Sequence, residues 1–194
     1  MRDDEIKQII EEDVKNRIVE VKRRIEERYL EEADKYKLRF RAVLEEALNE
    51  AESKRSKMKK GPFKYIYINC LRTSIETETY SYVIRIMDER KYSDRAIVEK
   101  SYTPEYLLDL VSSDKEYFEK LIMRNVIRAK KYEVKDFLRD YIWNVYIHPI
   151  PKEIKEVLSE LNKMEIYEKV VHEDKVRANY GEVLESLEYI WEFT

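Results

Sequence analysis

The chain has 194 residues, enough for one domain with an appendage, and is 41% charged and 43% hydrophobic, so both long solvated helices and a real core are expected. A formal net charge of −3 gives no whole-molecule attraction to nucleic acid or an anionic membrane, and leaves only local basic patches to consider. One cysteine makes no internal disulfide, and two glycines, Gly61 and Gly181, exclude the glycine-rich phosphate loops of dinucleotide and nucleoside triphosphate enzymes.

The opening Met1-Arg2-Asp3-Asp4-Glu5 is acidic, where a signal peptide would be basic and then apolar. No apolar run approaches the roughly 20 residues that span a bilayer. A cytoplasmic protein without membrane contact is the expectation. Residues 1–60 lack Gly and Pro and repeat apolar side chains every three or four positions, among them Ile10, Val14, Ile18, Val21, Ile25, Tyr29, Phe40 and Ala51. Ile18, Tyr29, Phe40 and Ala51 are each eleven apart, which suits a nearly straight stripe better than a heptad seam. One long helix of about 45 residues, roughly 70 Å and free to bend, is favoured over a break into two antiparallel helices. The segment Glu31-Glu32-Ala33-Asp34 is a weak break without turn chemistry. Lys54 to Lys60 is a basic run that Gly61 and Pro62 end as a helix stop.

Pro62 to Lys100 carries the two-residue period and the β-branched and aromatic content of strands. Tyr65, Tyr67 and Asn69 share one face; Ile66, Ile68, Cys70 and Arg72 share the other. Strands over 79–87 and 93–100 follow after short connections, which predicts an antiparallel meander. Thr103-Pro104 reads as a helix start, Ser113-Asp114-Lys115-Glu116 as a capping box opening the next helix, and Glu133 as the start of a third with Val134, Phe137, Leu138, Tyr141 and Ile142 on one side. His148-Pro149 stops it, and a helix over 152–164 follows. Residues 175–180 read as a fourth strand with Gly181 as a turn or bulge, and 182–193 as helix. The expected class is α+β: a long helical N-terminal segment over 1–60, then a domain over 61–194 with an antiparallel three- to four-stranded meander and C-terminal helices packed on it.

The stretch Y-I-Y-I-N-C-L-R-T-S-I, followed by T-Y-S-Y-V-I-R-I-M-D-E, resembles an uncharacterised family of bacterial proteins with a Tyr-Ile-Tyr-Ile…Leu-Arg-Thr-Ser core. The resemblance covers Pro62 to the C-terminus. It implies that the sheet is a unit and supplies no activity and no catalytic residues.

Zinc needs three or four N or S ligands, and Cys70, His148 and His172 are far apart without ligand spacing. Cys70 shares the Ile66/Ile68 face, which predicts a buried, inert thiol rather than a nucleophile. No carboxylate pair is distinguished as acid and base. No metal, cofactor or catalytic constellation is expected. Two cationic features stand out. Arg72, Thr73 and Ser74 follow a hydrophobic strand and could hold an anion by charge-assisted hydrogen bonds; the alternative is a strand-end Arg paired with Glu76 or Glu78. Lys120, Arg124, Arg128 and Lys131 recur along one helical side and suit a polyanion, against a solvated face paired with acids such as Glu116.

The leading expectation is a non-enzymatic binding or assembly protein. Its N-terminal stripe, Ile10, Val14, Ile18, Val21, Ile25 and Tyr29, would be the interface with a second copy or a partner protein. The first alternative is nucleic-acid or nucleotide binding through a tyrosine-rich sheet and the basic helix face, since the chain has 16 tyrosines. The second is an enzyme acting on an anionic small molecule anchored by Arg72.

Overall fold

The computed structural model of the chain describes residues 8, 10–55, 57, 63–90, 95–126, 130–170, 176–182 and 188–193. The elements run α1 (Glu11–Glu31), α2 (Ala33–Arg55), β1 (Phe63–Cys70), α3 (Thr73–Glu76), β2 (Tyr82–Asp88), β3 (Val98–Tyr102) and α4 (Glu105–Asn125). Then come α5 (Lys131–Ile142), a π-helical turn (Trp143–Ile147), α6 (Lys152–Ser159), a 3-10 turn (Leu161–Lys163), α7 (Glu165–Val170), β4 (Val176–Glu182) and β5 (Glu188–Phe193). The architecture is mixed α+β. No helix among the described residues is long and apolar enough to cross a membrane.

The strands form one mixed sheet in the order β3-β2-β1-β4-β5. The antiparallel meander holds for β1, β2 and β3, with Ile68 opposite Ile84 and Tyr82 opposite Tyr102. It fails for β4, which lies parallel to β1 with Ile68 opposite Tyr180. The connection from β3 to β4 carries four helices, and a long helical connection can return the chain in the same direction, as a tight turn cannot. The helix expected over 182–193 gives way to strand: β4 runs through Glu182 and β5 pairs antiparallel with it. The run Tyr189-Ile190-Trp191 is rich in strand-favouring side chains, and β4 offers it an edge. Gly181 is no turn; it sits inside β4 at φ 145°.

The helical elements contribute to one apolar core with Ile66, Ile68 and Cys70 of β1, Tyr82, Ile84 and Ile86 of β2, and Ala178 and Tyr180 of β4. The opposite face carries Tyr65, Tyr67 and Met87 in a small separate cluster. There Glu99 accepts from Arg85 at 2.9 Å, Arg85 donates to Asn69 at 3.3 Å, and Asn69 donates to the Gly181 carbonyl at 3.4 Å.

The single long helix is replaced by two, broken at Glu32 (φ −138°, ψ 33°). No Gly or Pro marks the break. Tyr106 of α4 packs against both Tyr29 and Tyr36, at ring distances of 6.1 and 4.8 Å, and Glu32 accepts hydrogen bonds from Lys35 and Tyr36. The bend lets α1 pack on α4 while α2 packs on β2, β3 and α6. The stripe is thereby covered by its own chain. Ile10, Val21, Tyr29, Phe40, Leu44 and Ala51 are buried, and Val14, Ile18 and Ile25 are half-buried against the same core. That core is continuous from Ile10 to Tyr180.

The capping box expected at Ser113-Asp114 lies inside α4, which runs unbroken from Glu105 to Asn125. Asp114 is instead a buried tertiary anchor. Its Oδ1 accepts from Arg17 Nε and Nη2 at 2.8 and 2.6 Å, and its Oδ2 from the Tyr141 and Tyr146 hydroxyls at 2.6 and 2.8 Å. A second buried carboxyl, Glu153, accepts from Tyr102 and Tyr106 at 2.9 Å each, and burial pushes it above the ordinary carboxylate range. The Ile147 carbonyl, freed at the end of the π-helical turn, accepts from Tyr82, Tyr180 and Cys70. Burial pushes the Cys70 thiol up to about 11, away from the reactive thiolate.

Replacing Asp114 by Ala leaves the half-buried Arg17 guanidinium with Glu20 alone, the Tyr146 hydroxyl with the Leu110 carbonyl alone, and the Tyr141 hydroxyl without its acceptor. Leaving such a buried group unsatisfied costs about 1–3 kcal/mol. The urea midpoint of Asp114→Ala is expected to fall accordingly at an unchanged slope; a midpoint equal to that of wild type would show that the network is not the anchor.

Candidate functional site

A cleft of about 540 Å³ lies where α4 and α5 diverge beneath the loop from α3 to β2. Its floor is Ile75, Val134, Leu138 and Ile142, with the Tyr80 ring. Val134, Leu138 and Ile142 follow one another at four-residue steps, and so form one ridge of α5. Lys131, Lys135 and Arg139 form the next ridge and line the same cleft. The facing wall is Lys115, Glu119 and Met123 of α4, again at four-residue steps, and Glu76 and Glu78 complete it. Met123 is 64% exposed at this wall.

The closing loop is held in an uncommon conformation. Glu78 and Tyr80 have φ of 56° and 47°, the left-handed region that residues with a Cβ seldom occupy. The Ser74 carbonyl accepts the Thr79 and Tyr80 amides, and Ser74 Oγ donates to the Leu71 carbonyl, so the loop folds tightly back on α3. Such strain is characteristic of ligand clamps and switch regions. Tyr80 is 4% exposed, lines the cleft, and has no hydrogen-bond partner for its hydroxyl among the described residues. Burial pushes that hydroxyl above its ordinary range.

The cations differ in their partners. Lys115 is paired with Glu78; burial opposes its charge, but Glu78, Tyr80 and Glu119 outweigh burial and hold it above the ordinary lysine range. Arg139 reaches Asp136 at 3.2 Å. Lys131 and Lys135 have no ion-pair partner among the described residues.

Of the residues singled out in sequence, only Lys131 lines this cleft. Lys120 and Arg124 lie on α4 and Lys131 on α5, so the four-cation face of one helix does not exist: α4 ends at Asn125, and Val126 is extended (φ −104°, ψ 108°). Lys120 is paired with Glu116. Arg128 and His172 lie outside the described residues. Arg72 pairs with Glu182 at 2.9 Å, not with Glu76 or Glu78, and its guanidinium lies 4.6 Å from the Trp143 ring centre. Ser74 is committed to the Leu71 carbonyl, and Thr73 begins α3. The sheet face bearing Tyr65 and Tyr67 is opposite the face on which α4 contributes to the core, so those tyrosines do not adjoin Lys120 and Arg124. Among the described residues no group of three His, Cys, Asp or Glu side chains is placed to hold a metal ion.

Sequence reasoning missed Tyr80, Lys115, Lys135 and Arg139. The ridge Lys131-Lys135-Arg139 beside Val134-Leu138-Ile142 was legible as period, but its cleft depends on α4 and the loop.

The strain at Glu78 has a measurable consequence. Both Glu78→Gly and Glu78→Ala remove the ion pair to Lys115, but only Gly relaxes the left-handed backbone, worth about 1–2 kcal/mol. The Gly variant is expected to be the more stable of the two in urea denaturation, by about 1 kcal/mol, in spite of the greater freedom of glycine in the unfolded chain. The reverse order would show that the loop is not strained. Compared with known proteins, the chain matches no family model, no curated protein and no solved structure.

Proposed function

We propose that the protein is a non-enzymatic binding module that holds a small ligand in the cleft between α3, α4 and α5. The observation that carries this reading is the Tyr80 side chain, 4% exposed and set against a cavity of about 540 Å³ by a strained loop, with no hydrogen-bond partner for its hydroxyl among the described residues. A volume of that size is on the scale of small-molecule sites, and its apolar floor is walled by charged side chains of both signs. Binding is favoured over acid–base chemistry because Tyr80 and Lys115 both keep their protons well above neutral pH, so neither is poised as a base. Arg72, already engaged by Glu182 and Trp143, is not part of this reading.

A thermal-shift screen of small amphiphiles tests it. A ligand at a hundred times its Kd stabilises the folded state by about 2.7 kcal/mol. Ligands that raise the melting temperature are expected to perturb the methyl signals of Ile75, Val134, Leu138 and Ile142. Stabilising ligands that leave all four unmoved would place binding elsewhere and end the proposal.

Self-association has one observation in its favour. Val19, Leu30 and Leu38 are 72%, 63% and 65% exposed on α1 and α2, and Val19 and Leu30 are eleven residues apart, hence on one side of α1. If this outer side joins two copies, light scattering at tens of micromolar gives a dimer for wild type and a monomer for the triple variant Val19→Lys, Leu30→Lys, Leu38→Lys. A monomeric wild type excludes it.

A further inference from the structure

We infer that the ligand of the cleft is an amphiphile with a single anionic head on an apolar chain, an inference that rests on the binding reading above. Two neighbouring ridges of α5 carry it. Val134, Leu138 and Ile142 line the cleft in one apolar row, and packing into the core leaves them 7%, 5% and 2% exposed. Eight residues of helix extend about 12 Å, the scale of a decyl chain. Beside that track each apolar residue has a cation three positions earlier: Lys131, Lys135 and Arg139.

Not all of that charge is available. Lys115 is engaged by Glu78 and Arg139 by Asp136, which leaves Lys131 and Lys135. Both belong to the first half of α5, whose positive helix end adds to their field. The facing walls contribute Glu76 and Glu119 in addition to the paired Glu78. With those two pairs set aside, Lys131 and Lys135 remain against Glu76 and Glu119, so the cleft carries no net excess, but its two available cations neighbour each other on α5. A nucleic acid strand or other polyanion would meet those acids as well as the lysines. One negative head meets only the Lys131/Lys135 end. Met123 offers an adaptable apolar surface on the opposite wall. The Tyr80 hydroxyl supplies one directional hydrogen bond within the cleft.

The test is a methyl-NMR titration of the full chain with four probes below their aggregation concentrations: decanoate, decyl phosphate, decanol and acetate. Decanoate, decyl phosphate or both are expected to shift the Ile75, Val134, Leu138 and Ile142 methyls, with the tighter of the two identifying the head group. Decanol is expected to bind at least tenfold more weakly, and acetate not at all. The double variant Lys131→Gln, Lys135→Gln is expected to reduce binding of the anionic probes to the level of decanol and to leave decanol unchanged. Decanol binding as tightly as the anions, or a double variant that binds them as wild type does, overturns the anionic head while leaving the cleft as a binding site. Acetate binding as tightly as decanoate overturns the apolar chain. Absence of any shift in the four cleft methyls with both anionic probes overturns the inference; whether other ligands reach those methyls in the wider screen then decides the binding reading separately.

Discussion

The Asp114 carboxylate fixes how three helices meet. It is fully buried and accepts four hydrogen bonds, two from Arg17 of α1 and one each from Tyr141 of α5 and Tyr146 of the π-helical turn. A buried carboxylate without partners would be strongly disfavoured, so the arrangement of α1, α4 and α5 that brings all its donors together is selected over alternatives that leave some out. The Arg17 guanidinium also lies 4.9 Å from the Tyr117 ring centre, which extends its contact along α4. With α1 held on α4, the bend at Glu32 follows, because α2 must then turn to reach β2 and β3.

Tyrosine does for this core what backbone pairing does for many others. The chain is tyrosine-rich, yet much of that content faces inward. Tyr82 and Tyr180 donate to the carbonyls that the π-helical turn leaves free, and Tyr102 and Tyr106 donate to Glu153. Each ring adds apolar area and each hydroxyl satisfies a group that would otherwise be orphaned. The Glu153 contacts join β3, α4 and α6 through one carboxyl.

Tyr80 breaks that pattern, and the break is what singles out the cleft. Its ring is buried like the others, but its hydroxyl has no protein partner among the described residues, and its backbone is left-handed. Local rules that hold elsewhere in the chain fail at this loop, and such failures concentrate at binding sites and switches. The cleft joins that failure to an apolar ridge and a cationic ridge of α5, which gives it both a place for a chain and a place for a charge.

The sequence by itself determined the α+β class, the helical N-terminal segment, the first three strands and their pairing, and the inward face of Cys70, because those depend on periods of two or 3.6 residues and on short connections. It could not determine the bend at Glu32, since no breaker residue is there and the bend answers to contacts with distant elements, α1 on α4 and α2 on β2 and β3. Nor could it place β4 parallel to β1, turn residues 188–193 into strand, or convert Asp114 from a presumed cap into a buried anchor. The candidate site was legible only through Lys131. Its other members come from α3, α4, α5 and the loop before β2, and a cavity among them is a property of how helices diverge, which no local pattern of residues encodes. The same cause explains the N-terminal stripe: its hydrophobic period was plain in the sequence, but whether a second chain or its own core would cover it was decided only when tertiary packing bent the helix onto the sheet.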